Sequence, residues 1–386
     1  MGDIIAKSSF ALTKQVQGNN LMFGLDVRGS QIQVYDPTVS GNNEALKYTP
    51  NFVTKNTTIT PTFSGGSQNF NRGSWSVADI NGVPVPLSSV GTESNVYPYA
   101  LTINKNITKE QMAWTIKYTC TYTDPKTKQV SNLSATQPIA LVLNPNSTAI
   151  GWIETPDGSK FRNELQTATR RLVMRMTSKG GGEDTTGNTY KWYYADNKAP
   201  DGWTLITSVN AKGITGYDKQ TLVVPASFVP QMQAFKCVAT DADKTSGTDK
   251  AGNALTAVAC ATLMDESDPY QLEHSETVTL GNGPITFPVR IRQGSMASAG
   301  KLDSLGYLTN ETILKLMSMK IYRHKGDSTT PIDSGIGGWG DVDPGTHLPT
   351  GAKVMALSGT AFVTTLSESD IAADKMTAAF SLELTM

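Results

Sequence analysis

His274, His324 and His347 are the only imidazoles in the chain, and imidazole is the side chain best suited to moving a proton near neutral pH. None stands at metal-ligand spacing from a second His, a Cys or a carboxylate. No Gly-x-Ser-x-Gly elbow accompanies them to present a nucleophile. Gly335-Ile336-Gly337-Gly338-Trp339-Gly340 matches Gly-x-Gly-x-x-Gly, a motif that cradles a pyrophosphate when a strand precedes it and a helix follows. Here Asp341-Val342-Asp343-Pro344 follows and blocks a helix start. The motif reads as a flexible loop exposing Trp339, either as a possible contact residue or as an anchor tucked under the loop. Asp241, Asp243 and Asp249 resemble a calcium loop, but Ser246 and Gly252 stand where an EF-hand requires Gly and Glu, so a hairpin loop of solvated charge is expected. Carboxylate pairs for glycoside hydrolysis need only meet in space. The acidic residues here cluster in turns and linkers, where solvated side chains are expected. These residues point to no enzyme, no cofactor and no metal site.

Composition narrows the partners. The 33 Lys and Arg nearly cancel 34 Asp and Glu, so no basic footprint for nucleic acid is implied. Charged residues make up 17% while Thr, Ser, Asn and Gly abound, a profile of turn-rich β proteins. No apolar run approaches the length of a membrane-spanning helix, and membrane insertion is not expected. Residues 1–8 lack the basic and apolar regions of an export signal, so synthesis in the cytosol is expected. Cys120, Cys237 and Cys260 form an odd, widely spaced set. All three are expected to be reduced, buried thiols that behave as small hydrophobes.

The elements that carry these residues are strands. In residues 113–124, Trp114, Ile116, Tyr118, Cys120 and Tyr122 alternate with Thr and Lys, the period of a half-buried strand. Phe235-Lys236-Cys237-Val238-Ala239-Thr240-Asp241 echoes it, and both copies read Cys-x-x-x-Asp. A tryptophan in a short strand precedes each cysteine by the same 45 residues, Trp75 before Cys120 and Trp192 before Cys237. Such self-similarity predicts repeated modules, each the size of a β-sandwich. Trp75, Trp114, Tyr118, Cys120, Trp192, Phe235 and Cys237 are the predicted core, and the paired modules are predicted to match tryptophan on tryptophan and cysteine on cysteine.

The predicted fold is mainly β: tandem immunoglobulin-like β-sandwiches with an N-terminal β arm and a β-rich C-terminal domain containing one helix. The arm covers residues 1–47, the modules 48–145 and 146–272, and the last domain 273–386. In the arm, Leu21, Phe23, Leu25 and Val27 alternate with polar or small residues. So few strands cannot make a core and must pair with the first sandwich or with a neighbouring subunit. Asp265-Glu266-Ser267-Asp268-Pro269 reads as a linker. Thr309 or Asn310 caps a helix expected over residues 311–322.

Two disulfide-free modules with Trp and Cys in these positions resemble immunoglobulin-like domains. Preceded by Ile4-Ile5-Ala6-Lys7-Ser8-Ser9-Phe10-Ala11-Leu12-Thr13-Lys14 and Gly18-Asn19-Asn20-Leu21-Met22-Phe23, and joined through Asp268-Pro269-Tyr270, they look like virion proteins of tailed phages infecting gut Bacteroidales. The resemblance covers the arm and both modules. It implies a protein made in the infected cell's cytoplasm that serves in the virion as a tail, baseplate or head-attached part. Its partners would be copies of itself and other virion proteins. The alternative is a bacterial surface or fibre adhesin whose immunoglobulin-like domains bind a host-surface glycan or protein.

Overall fold

A computed structural model describes residues 21–39, 44–65, 69–125, 127–144, 149–177, 182–245, 247–249, 251–274, 283–294, 297–325, 330–331, 353–367 and 379–385. The Ala113–Thr123 strand turns Trp114, Ile116, Tyr118, Cys120 and Tyr122 inward, as its alternation requires. It lies between Val130–Leu143 and Ser74–Ala78 in a six-stranded sheet. The facing sheet has Met22–Arg28, Thr57–Ser64, Leu101–Ile103 and Gly91–Glu93 in that order. The second sandwich repeats the plan. Met232–Asp241 lies between Thr256–Asp265 and Asn188–Ala195 in a five-stranded sheet, which faces the three strands Gly151–Glu154, Thr169–Met176 and Thr221–Pro225. Each sandwich encloses its own hydrophobic core. This paired-sheet layout, stacked in tandem, is that of immunoglobulin-like domains.

Residues 22–28 and 32–35 do not form a separate arm. Met22–Arg28 pairs antiparallel with Thr57–Ser64 in one sheet, and Ile32–Tyr35 pairs parallel with the end of Val130–Leu143 in the other. The second sandwich begins the same way, with Gly151–Glu154 against Thr169–Met176 and Lys160–Phe161 parallel to the end of Thr256–Asp265. The first sandwich therefore starts ahead of residue 48, because its sheets need these strands to bury Leu25 and Val27 in the core.

The tryptophan–cysteine match holds for strand and face but not for register. Trp192 lies opposite Cys237, whereas Trp75 lies opposite Tyr118. Cys120 faces Gly73 instead, where an added Cβ would stand 2.0 Å from the Thr119 carbonyl oxygen and 2.6 Å from the Cys120 Cβ. Equal spacing along the chain thus hides a two-residue slide between the strands.

The last domain has a third core, with Val289, Ile291, Leu314, Met319, Ile321 and Phe362 among its buried residues. Ile285–Gln293 is flanked by Tyr270–Glu273 and Ala361–Leu366. The expected helix is one turn, Glu311–Leu314, capped by the Asn310 side chain accepting from the Ile313 amide. Its expected continuation is a strand instead, Ser318–Lys325. Met317, Met319 and Ile321 are all buried at two-residue intervals, and Ala379–Thr385 supplies a partner strand from the distant end of the chain.

Candidate functional site

The densest polar chemistry among the described residues lies where the sandwiches meet. On Met22–Arg28, Leu25 and Val27 face the core and Asp26 and Arg28 face outward. Asp26 is nonetheless only 8% exposed, because the second sandwich covers it. Its Oδ1 accepts from the Ser159 amide at 2.8 Å and from the Ser159 hydroxyl at 3.0 Å. Thr155 Oγ1 donates to the Val27 carbonyl at 2.8 Å, and Thr155 and Gly29 exchange backbone hydrogen bonds. Gly158 makes the approach possible: its φ is +87°, and a Cβ there would lie 2.2 Å from Asp26 Oδ2.

A second contact reinforces this joint. Lys55 of the first sandwich reaches Glu183 at 2.7 Å, and Arg175 bridges Glu183 and Glu154 at 2.7 and 3.1 Å. Burial opposes the Arg175 charge, but the two carboxylates outweigh it and raise the guanidinium pKa. Trp152 lies opposite Arg175 in the ladder. It is 1% exposed yet outside all three cores, and its indole donates to Glu154.

Residues 265–269, expected to be a solvated linker, form the second joint. Burial by itself would raise the Glu266 carboxyl, but hydrogen bonds from Lys160 and Arg162 prevail and hold it below the usual range. Asn163 and Asp268 bond reciprocally, Asp268 N to Asn163 Oδ1 at 2.7 Å and Asn163 Nδ2 to Asp268 Oδ2 at 2.8 Å. Two groups of the last domain close on this pair, Gln293 donating to the Asp268 carbonyl and Ser298 to the Asn163 carbonyl, and a third, Lys301, donates to the neighbouring Glu164 carbonyl. Lys301 is 3% exposed, and burial lowers its pKa. Gly294, with φ +80°, again leaves room for a carboxylate, since a Cβ would meet Asp268 Oδ2 at 2.4 Å.

An open cleft of about 630 Å³ lies beside both joints and is lined by all three domains. Phe63, Tyr97, Pro98 and Leu165 give it apolar wall. Burial pushes the Tyr97 phenol up to about 12. Arg28, Thr62, Arg162 and Glu164 contribute polar groups.

The predicted core residues are elsewhere. Trp75, Trp114, Tyr118 and Cys120 are buried in the first core, and Trp192, Phe235 and Cys237 in the second. The Trp75 indole donates to the Tyr99 carbonyl and the Trp192 indole to the Lys219 carbonyl, each two residues before the facing strand. Trp339 and His347 lie outside the described residues. His274 lies beside Phe287, with ring centroids 5.7 Å apart and planes tilted by 56°. Asp241 is buried rather than solvated, whereas Asp243 and Asp249 accept from amides of their own turns. Cys260 is exposed, contrary to expectation: it faces outward opposite Lys236, while Cys237 points into the core. Among the described residues no three His, Cys, Asp or Glu side chains gather to hold a metal, and no helix is long and apolar enough to cross a membrane. The first joint escaped sequence reasoning, although Pro156-Asp157-Gly158 is a turn signal that could have marked it.

No family model and no curated protein matches the chain. Among solved structures it is similar to three N-terminal domains of the highly immunogenic outer capsid protein (Hoc) of bacteriophage RB49, at 13% identity and a TM-score of 0.20, covering 95% of this chain and 92% of that one. A Ca2+-stabilized adhesin by which an Antarctic bacterium binds ice gives 11% identity and 0.18, covering 94% and 72%. The N-terminal four immunoglobulin domains of Dscam1 isoform 6.44 give 12% and 0.19, covering 74% of this chain and 61% of that one. The fold assignment itself rests on the sheet topology.

Proposed function

We propose that the chain is a non-enzymatic structural component of a tailed-phage virion, held among copies of itself and other virion proteins. The joints carry this reading. Domains connected by solvated linkers move relative to one another by default. Here the connections bury Asp26, Glu266, Asp268 and Lys301 with hydrogen-bond partners on adjoining domains or on the segment between them. Breaking such a contact leaves a buried charge unpaired, so the joints favour one relative placement of the sandwiches. A part that must hold its neighbours in register needs that property. The layout of residues 1–23 followed by such modules, which resembles virion proteins of tailed phages infecting gut Bacteroidales, also supports the reading, as does the near-zero net charge. Deleting residues 1–20 should leave the sandwiches folded, because Met22–Arg28 is retained, and should abolish incorporation into particles. Full occupancy of the truncated chain in purified particles would refute a role for residues 1–20 in assembly. A deletion through residue 30 is unsuitable, since it removes a core strand.

A second reading, a surface or fibre adhesin, is favoured by the cleft and its polar groups. Recovery with purified particles or with the cell envelope separates the two.

A further inference from the structure

We infer that the cleft between the sandwiches binds an acidic saccharide, with a carboxylate on its arginine side and hydroxyl groups facing Glu164. Three residues that line it each carry a buried polar atom with no hydrogen-bond partner: Thr62 Oγ1, Arg162 Nε and Glu164 Oε2. Buried polar groups are ordinarily satisfied, so unsatisfied ones in a cleft mark where a ligand can complete the set. Thr62 is the firmest case, at 7% exposure. Its position opposite Gly24 turns it away from the core and toward the second sandwich. The absence of a side chain at Gly24 leaves room there for the Lys160 ammonium, since a Cβ would stand 2.7 Å from Lys160 Nζ and 3.4 Å from Thr62 Oγ1.

The unsatisfied atoms are of both kinds. Arg162 Nε can only donate, Glu164 Oε2 as a carboxylate can only accept, and a hydroxyl such as Thr62 can do either. One terminal nitrogen of Arg162 is committed to Glu266 and Glu164 Oε1 to Arg170, so both groups are held in place. Arg28 adds an exposed guanidinium on the same outward face as Asp26. A simple anion would satisfy the donors and leave Glu164 unmatched. A neutral sugar would satisfy Glu164 and leave Arg28 without a countercharge. A hydroxyl-bearing carboxylate meets both needs, and Phe63, Tyr97, Pro98 and Leu165 supply the apolar surface against which a sugar ring packs. The volume falls within the roughly 300–1,000 Å³ of small-molecule sites, and the open form admits a chain.

The proposal goes beyond the structural role and is tested separately from it. Trigalacturonate, maltotriose and sodium sulfate are titrated into the full chain by calorimetry. Trigalacturonate is expected to bind, maltotriose to bind at least tenfold more weakly, and sulfate not to compete at equal concentration. Thr62→Val and Arg28→Ala should each weaken trigalacturonate binding roughly tenfold, as removal of a hydrogen bond to a charged group does. Neither should lower the melting temperature, because neither side chain is committed to a partner. Binding of trigalacturonate that survives both substitutions, equal binding of maltotriose, displacement by sulfate at equal concentration, or no binding at all would overturn the assignment. Whatever the outcome, particle incorporation of the chain lacking residues 1–20 is read independently.

Discussion

Cys120 and Cys237 sit where a thiolate is costly. Burial pushes the Cys120 thiol up to about 11 and raises Cys237 as well. Cys260 lies on the outward side of its strand and is exposed. Because the thiolate is the reactive form, a disulfide reagent at pH 8 should label one of the three thiols in the native protein and all three after denaturation. Fast labelling of two or more native thiols would place Cys120 or Cys237 outside its core. Trp192 poses a different residue-scale question. It combines complete burial with a hydrogen bond to the Lys219 carbonyl. Trp192→Ala forfeits both the packing and the bond and should cost about 3–5 kcal/mol in denaturant melts. Trp192→Phe keeps most of the ring volume but leaves that carbonyl without its donor, and it should cost less. A loss for the alanine variant of under about 1 kcal/mol would mean that this core re-packs freely.

Strands were legible in the sequence where apolar and polar residues alternate without a competing helical stripe, and illegible where partner rather than pattern decides. The alternation over residues 113–123 gives the strand and its buried face directly. The register does not follow, because the 45-residue spacing says nothing of how two strands slide past each other. Gly73 is the element-scale consequence. It occupies the place opposite Cys120 that Trp192 occupies opposite Cys237, and its neighbours leave no room for a side chain. Gly73→Ala should destabilise the first sandwich by about 1–3 kcal/mol, the usual cost of overpacking. Denaturant melts that show no change would mean that the strand can slide back into the register of its counterpart. The segment 311–322 fits a helical stripe in sequence because Ile313, Leu316, Met317 and Met319 or Lys320 recur near helical spacing. From Ser318 onward it is a strand because Ala379–Thr385 offers it a ladder, a long-range fact that no local window contains. The joint residues were hidden for a related reason. Asp26, Glu266 and Asp268 look like solvated charge in a strand and a linker, and only a neighbouring domain buries them.

Buried charges lie at both joints between the three domains, and pH can test whether they set the placement. The folded-state pKa of Glu266 is held below its ordinary value by Lys160 and Arg162. A group shifted down in this way stabilises the folded arrangement above its ordinary pKa, about 4.3 for Glu. That contribution is lost as the pH falls through the lowered value. Lys301 is shifted down by burial, so at the second joint the folded state binds fewer protons than the unfolded one, and stability there rises as the pH climbs toward the ordinary lysine range. Small-angle scattering should therefore fit the jointed structure at pH 7. Mild acid, below about pH 4, should lengthen the particle by opening the joints before the sandwich cores melt. Gly158→Ala forces a side chain against Asp26 at the first joint, and Gly294→Ala does so against Asp268 at the second. Each should expand the chain at neutral pH while the sandwiches keep their far-ultraviolet signature. Scattering curves unchanged in both variants would mean that the sandwiches are placed by their apolar contacts alone, and that the buried carboxylates at the joints follow that placement instead of setting it.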